Sequence, residues 1–367
     1  MHSFNEMNYL DTKSNSPKYW QLAERFRRQL KNGALKPGDR LPTLNEMRDD
    51  HNISRTTVEK AYGLLERDGL IERLHGSGVF VSQLRKGSTQ GIIGLSGAGF
   101  NFSDYSPYWA RLLGGAREAA AREKMQLLIL EADSALGWEK ADGVLVCDWH
   151  TLRIPRNHIA DLPVVSLMTP VEGMAGVIAD EENGALIATR HLLQLGHRRI
   201  AFLHGEKDSL TPEKRLYGYR QALQEADIYP HRNWTCSLRG MYKVGARFTI
   251  EAQRIMAQWL AEGWNSLGCT AILCHNDEAA LGVMQALGEV GMRVPDDVSV
   301  MGFDGTEFCD LVSPRLSSVE LPLREIGARG VELLLKQIEA DEVSKEHQVL
   351  PPQLRVREST AAPAPRP

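Results

Sequence analysis

The stretch "HNISRTTVEKAYGLLERDGLIERLHGSGVF", residues 51–80, decides how the first part of the chain folds. Val58, Ala61, Leu64 and Leu65 recur at helical spacing, which predicts a helix over 55–68 with one apolar face. Ser54 stands where an N-cap accepts the free amides of the first turn. That leaves Arg55, Thr56 and Thr57 at the helix start, with Glu59 and Lys60 on the polar side. The following "LIERLHGSGVFVS" alternates into two short strands around a glycine-containing turn. A helix enters a DNA major groove by this end, where arginine matches guanine and threonine a phosphate or a thymine methyl. A hairpin tip at His75-Gly76 is narrow enough to approach a minor groove.

Working outward, residues 1–15 are polar and aperiodic and are expected to be flexible. Ser16-Pro17 reads as an N-cap with proline at the first helical position, followed by Tyr19, Leu22, Ala23, Phe26 and Leu30 on one face. A second short helix is expected at 43–50, so 16–82 forms one small domain. Residues 83–90, small, polar and basic, read as a linker. Residues 13–86 carry 15 Lys/Arg against 9 Asp/Glu, a net of +6, whereas 87–367 carry −8. A basic head on an acidic body is the footprint of a polyanion reader fused to another module. Lys36, Arg40, Arg48, Arg73, Arg85 and Lys86 are available for phosphate contacts.

From residue 91 the rhythm changes. "GIIGL", "QLLILEA", "ADGVLVCD", "LPVVSL", "RRIAFLHG", "TAILCHND" and "VSVMGFDG" are short apolar runs, most separated by amphipathic helices. That alternation predicts an α/β doubly wound architecture, and the number of βα units favours two similar lobes over one large sheet. The α/β body is placed at 91–357, and 358–367, ending in "AAPAPRP", is expected to be a disordered tail.

Other classes fit poorly. There is no apolar run of 18 residues, so no membrane partner is expected. The first residues lack a signal-peptide layout, and five cysteines without a C-x-x-C pair suit reduced thiols; a cytoplasmic location is expected. "GLSGAG" is neither a nucleophile elbow nor a dinucleotide fingerprint. His191 and His197 have no third ligand in view, so no metal, cofactor or catalytic residue is assigned. A body of aminotransferase type using pyridoxal phosphate needs a substantially larger C-terminal part. What the body offers is Asn276-Asp277 and Asp304 just past strand ends, where open α/β sheets line a ligand crevice. Arg215 opens a helix, and with aromatics it would complete a cleft for a hydroxyl-rich ligand. Helix capping and loop stabilisation are the competing roles for Asp277 and Asp304.

"GDRLP", "SRTTV" and "GLIERLHGSGVFV" resemble the winged helix-turn-helix of the GntR family. The resemblance implies base and phosphate contacts from Arg55, Thr56 and Thr57, and minor-groove contact from His75 and Gly76. Ser54, Lys60 of the polar face, and the basic residues Arg40 and Arg73 complete the candidate DNA contacts. Thr43-Leu44-Asn45 replace the family's usual Ser-Glu-Arg, so Thr43 and Asn45 are candidates for a changed operator preference.

A second resemblance covers about 91–357. "VIADEENGALIATRHLLQLGHRRIAFLHG", "KRLYGYRQAL" and "CHNDEAALGVMQALGEVGMRVPDDVSVMGFDG" look like the LacI/GalR sensor, shared with periplasmic sugar-binding proteins. It implies two Rossmann-like lobes joined by three crossings, an effector in the cleft, and a homodimer. Arg215, Asn276 and Asp304 are carried over as polar clamps, Ser106 as a hydroxyl contact, and Tyr108 and Trp109 as stacking aromatics. Met168 stands where sugar-binding relatives often carry aspartate, and Leu321 where glutamine is common, with Glu320 beside it as a substitute. These departures hint at an apolar patch on the ligand. The expectation is a repressor of carbohydrate-utilisation genes that reads a palindromic double-stranded operator and is controlled by a monosaccharide. A purine-like effector or a protein partner are the alternatives.

Overall fold

In the computed structural model, the described residues are 16–31, 34–36, 38–51, 53–67, 70–74, 78–81, 91–97, 106–130, 138–147, 162–206, 210–238, 248–340 and 344–364. The chain divides into two compact units, Met1–Gln90 and Gly91–Pro367.

The first unit is built from α1 (Lys18–Lys31), α2 (Leu44–His51), α3 (Arg55–Arg67) and the hairpin β1 (Ile71–Leu74) and β2 (Gly78–Val81). The strands pair antiparallel from Ile71↔Val81 to Leu74↔Gly78. The expected face of α3 holds, with one shift: Val58, Ala61, Tyr62 and Leu65 are fully buried, while Leu64 is only half-buried. They meet Leu22, Ala23 and Phe26 of α1, with Leu41, Met47 and Ile53. Tyr62 stacks edge-on with Phe26 at 5.7 Å and donates its hydroxyl to the Pro42 carbonyl at 2.6 Å. A large aromatic thus enters a small core without leaving its polar end unpaired.

In the second unit, one lobe holds β3 (Ile92–Ser96), α4 (Pro107–Arg122), β4 (Gln126–Leu130), β5 (Gly143–Cys147), β6 (Val164–Leu167) and β7 (Ala175–Ala179). The chain then crosses into the other lobe. There it forms α5 (Glu181–Gln194), β8 (Ile200–His204), α6 (Leu210–Glu225), β9 (Thr235–Ser237), α7 (Phe248–Glu262), α8 (Trp264–Leu267), β10 (Ala271–Cys274), α9 (Asp277–Glu289), β11 (Ser299–Asp304), α10 (Phe308–Leu311) and β12 (Ser317–Glu320). A second crossing sends α11 (Leu323–Ala340) and β13 (His347–Leu350) back to the first lobe, and a third returns β14 (Gln353–Arg355). Among the described residues the sheet orders are β13-β7-β6-β5-β3-β4 and β14-β12-β11-β10-β8-β9. Every pairing is parallel except β12 with β14. The central strands are buried on both faces, as helix-covered parallel sheets require.

The C-terminal segment corrects an expectation. Residues 358–364 are not a disordered tail but a strap laid over the second lobe. Ser359 is fully buried; it accepts from Ser317 N at 2.8 Å and donates to the Val300 carbonyl at 2.6 Å. The Ala361 carbonyl lies 2.9 Å from His197 Nε2, and Thr360 Oγ1 lies 3.2 Å from His191 Nε2. Hydrogen bonds from small polar residues hold a segment whose alanine and proline content hides its order. The two histidines are thus structural neighbours of this strap. Among the described residues no group of His, Cys, Asp or Glu is arranged to hold a metal, and no helix is long and apolar enough to cross a membrane.

Candidate DNA-reading surface and effector cleft

The first unit presents the helix start the sequence pointed to. Ser54 Oγ accepts from Thr57 N at 3.3 Å and lies 2.7 Å from Thr57 Oγ1, so Thr57 is drawn into the cap. Arg55 and Thr56 remain exposed, with 69% of the Arg55 side chain accessible and its Nε 3.1 Å from Glu59 Oε1. Lys60 is exposed and lies over the Tyr19 ring at 5.8 Å. At the start of α2, Thr43 N donates to Glu46 Oε2 at 2.6 Å, and Glu46 N donates to Thr43 Oγ1 at 3.2 Å. This reciprocal capping box occupies the Thr43 hydroxyl, whereas Asn45 beside it is exposed. The hydrogen bonds from Thr43 hold the Glu46 carboxyl below the usual range. Arg40 bridges to Phe80 of β2, and its guanidinium lies over Gly78, whose φ is +123°. Arg73 pairs with Glu66 at 2.9 Å. His75 and Gly76 lie outside the described residues.

In the second unit, the carboxyl ends of β10 and β11 meet at Arg215 of α6, which is only 3% exposed. Arg215 Nε donates to Glu181 Oε2 at 2.7 Å, NH2 to Asp304 Oδ1 at 3.3 Å, and NH1 to the His275 carbonyl. Its guanidinium also stacks on Phe303 at 3.7 Å. Burial alone would lower its pKa, but Glu181 and Asp304 outweigh that and raise it, so it is permanently charged. Burial, opposed by Arg215 and reinforced by Asp277 and Glu181, pushes the Asp304 carboxyl well above its ordinary value. Asp304 is held at φ +101°, in the region that favours glycine. Asn276 caps α9, its Oδ1 accepting from Ala279 N at 2.8 Å.

Asp277 has the loop-stabilising role weighed above. Its Oδ2 accepts from Thr306 N at 2.6 Å and Thr306 Oγ1 at 2.8 Å, and its Oδ1 accepts from Ser318 at 2.5 Å. It therefore ties down the loop that aims Asp304.

From the other lobe, Ser106 sits at the start of α4 without a side-chain capping bond. Tyr108 and Trp109 follow, half-buried, with rings edge to face at 4.9 Å and 84°. Two expected effector contacts are placed differently. Met168, at φ +69°, packs its side chain into the main core. Glu320 is engaged through both oxygens, by Arg111 at 3.2 Å and Arg355 at 2.5 Å. Burial would raise its carboxyl pKa, but the two arginines lower it. The sequence reading missed Glu181, His275, Phe303 and Arg111. Glu181 Oε1 and His275 Nδ1 are buried beside Arg215 and have no protein hydrogen-bond partner among the described residues. The strand-end position of His275, next to Asn276, was the available signal for it.

Comparisons with known proteins agree with both units. Residues 18–81 match the family "Bacterial regulatory proteins, gntR family", and residues 189–360 match "Periplasmic binding protein-like domain". The arabinose metabolism transcriptional repressor of Geobacillus stearothermophilus is 28% identical over 366 residues, covering 94% of this chain and 98% of that protein. The HTH-type transcriptional repressor PurR of Vibrio vulnificus is 33% identical over 229 residues, 61% of this chain and 66% of the relative. Among solved structures, a LacI family transcriptional regulator from Mycobacterium smegmatis superposes with TM-score 0.63 at 25% identity, covering 74% of this chain and all of that one.

Proposed function

From a GntR-family helix-turn-helix domain joined in one chain to a periplasmic-binding-protein-like sensor domain, we infer a cytoplasmic, homodimeric repressor of carbohydrate-utilisation genes, released from a palindromic operator by a monosaccharide. That the chain is a DNA-binding repressor with a small-molecule effector follows from its relatives. The observation that carries the sugar reading is the buried set Arg215, Asp304 and Asn276 at the strand ends, facing a lobe whose first helix begins Ser106-Pro107-Tyr108-Trp109. Charge-assisted hydrogen bonds suit hydroxyls, and aromatic faces suit the C–H face of a sugar ring. The arabinose repressor, similar over nearly the whole chain, supports the same class of ligand. The work of the protein is binding and release, with no catalytic step.

In this reading the effector bridges the lobes and favours their closed arrangement, which changes the spacing of two head domains in a dimer. The expected N-terminal segment 1–15 and linker 83–90 lie outside the described residues; in this reading the linker transmits the change. Arg55 and Thr56 read base edges, Arg40, Lys60 and Arg73 hold phosphates, and Asn45 sets a preference of its own.

A thermal-shift screen of the full-length protein against pentoses, hexoses, deoxysugars, sugar phosphates and purines tests the effector class. A ligand at 100 times its Kd adds about 2.7 kcal/mol to the stability of the sensor. The expected result is one sugar that raises the melting temperature, with the shift lost in Asp304→Asn. A purine hit, or none, would move the cleft to another ligand class.

A further inference from the structure

Arg111 of α4 reaches across from one lobe to the other. Its NH1 donates to the Gly305 carbonyl at 2.6 Å, and its NH2 pairs with Glu320 at 3.2 Å. Its Nε lies 3.4 Å from Glu307. Each partner has a defined place in the second lobe. Gly305 follows Asp304 directly, at φ +69°, and a Cβ there would fall 2.5 Å from Glu320 Cα. Glu320 ends β12 at the second crossing, and its other oxygen accepts from Arg355 Nε at 2.5 Å. On its own helix, Arg111 is one turn beyond Tyr108 and two residues beyond Trp109. One half-buried guanidinium, 22% exposed, thus ties the helix carrying the candidate stacking aromatics to the loop carrying Asp304.

We propose that Arg111 is a positioning residue for the cleft: it latches α4 to the 304–307 loop and the crossing at Glu320, and so sets the lobe spacing at which an effector is held. The planar fork of arginine suits this task, because it serves a carbonyl and a carboxylate in two directions at once, which a lysine ammonium does less well. Glu320 is thereby part of the latch. The latch rests on the reading of the cleft as the effector site, but its mechanical part does not depend on which ligand enters.

The test uses the full-length chain with spin labels at Glu339→Cys in α11 and Tyr229→Cys, both exposed and in different lobes. Half-buried Cys236 is replaced by serine in this background, and the four buried cysteines stay. The interlobe distance distribution is measured for wild type, Arg111→Met, Arg111→Lys, Glu320→Gln and the Arg111→Met/Glu320→Gln double variant. Arg111→Met is expected to broaden the distribution towards longer distances. Arg111→Lys should recover part of the change, and the double variant should match Arg111→Met. A distribution for Arg111→Met equal to that of wild type would overturn the proposal, provided circular dichroism shows both folded. A second readout uses L-arabinose as the probe. If wild type binds it, Arg111→Met should weaken binding about tenfold or more, through faster dissociation. Unchanged affinity would sink the latch. If wild type does not bind L-arabinose, the choice of sugar fails while the distance measurement still decides the latch.

Discussion

Replacing Arg215 by alanine is expected to cost far more than the loss of one ligand contact. The side chain is 3% exposed and holds two carboxylates, Glu181 at 2.7 Å and Asp304 at 3.3 Å. Removing one partner of a buried ion pair costs about 3–5 kcal/mol, because the remaining charges lie uncompensated in a poorly solvated place. The lost stacking on Phe303 adds to this. For a unit of this size the penalty lowers the melting temperature by roughly 2–4 °C per kcal/mol. Asp304 relieves part of it by taking up a proton. Its carboxyl is already pushed up by burial with Arg215 beside it, and without that cation it rises further. A carboxyl whose pKa is higher folded than unfolded holds a proton that the unfolded chain releases above about pH 4. Stability of the variant therefore falls as pH rises, and the penalty at pH 7.5 should exceed that at pH 5 by at least about 1 kcal/mol. Urea unfolding followed by tryptophan fluorescence measures this. Of seven tryptophans only Trp20 belongs to the first unit, so Trp20→Phe leaves a signal from the sensor alone. A penalty under about 1 kcal/mol, or one independent of pH, would refute the account of Arg215 as the charge balance of the cleft.

Further expectations concern other parts of the chain. Arg55→Ala should weaken specific operator binding by about 1–3 kcal/mol and leave binding to unrelated DNA nearly unchanged; equal loss on both would assign Arg55 to phosphate contact. Deletion of residues 359–367 removes the bonds from Ser359, Thr360 and Ala361 and exposes the edge they cover. Urea unfolding should show a loss of about 3 kcal/mol or more, whereas a mobile tail would cost nothing. Burial holds the His197 pKa below that of a free imidazole. Its contribution to stability is thus complete above about pH 6.5 and lost as pH falls, and His197→Gln should flatten that acid limb in a pH series of melting curves. Gly305→Ala should displace the Asp304 loop, because the new methyl collides with Glu320. Loss of effector response in a folded Gly305→Ala protein would be the sign of it.

How much was legible in the sequence depended on where a residue's partners lie. The reading helix was legible because its signals are local: Ser54 caps an amide three residues on, and Val58, Ala61 and Leu65 share a face by helical spacing alone. Strand ends were legible from apolar runs, and with them Asn276 and Asp304. Arg111 was not, since its partners stand at 305, 307 and 320, and nothing in "YWARLL" marks an arginine that crosses between lobes. Glu181 was hidden as an ordinary acid in the first turn of a helix, a place where acids are favoured without any site. Short strands at the sheet edges, such as β9 and β14, have three residues each, too few for alternation to show. The strap at 358–364 was masked by its composition, because its order comes from partners near 191, 197, 299 and 317.

The central claim is that occupancy of the cleft governs DNA binding by the same chain. The most direct measurement is the affinity of the full-length protein for a footprinted operator fragment, by fluorescence anisotropy at fixed salt, with and without the sugar found in the thermal screen. The account predicts at least about a tenfold fall in affinity with the sugar, equivalent to about 1.4 kcal/mol of coupling, and no change in Asp304→Asn. Operator affinity that stays the same at saturating sugar, or a fall that persists in Asp304→Asn, would contradict it.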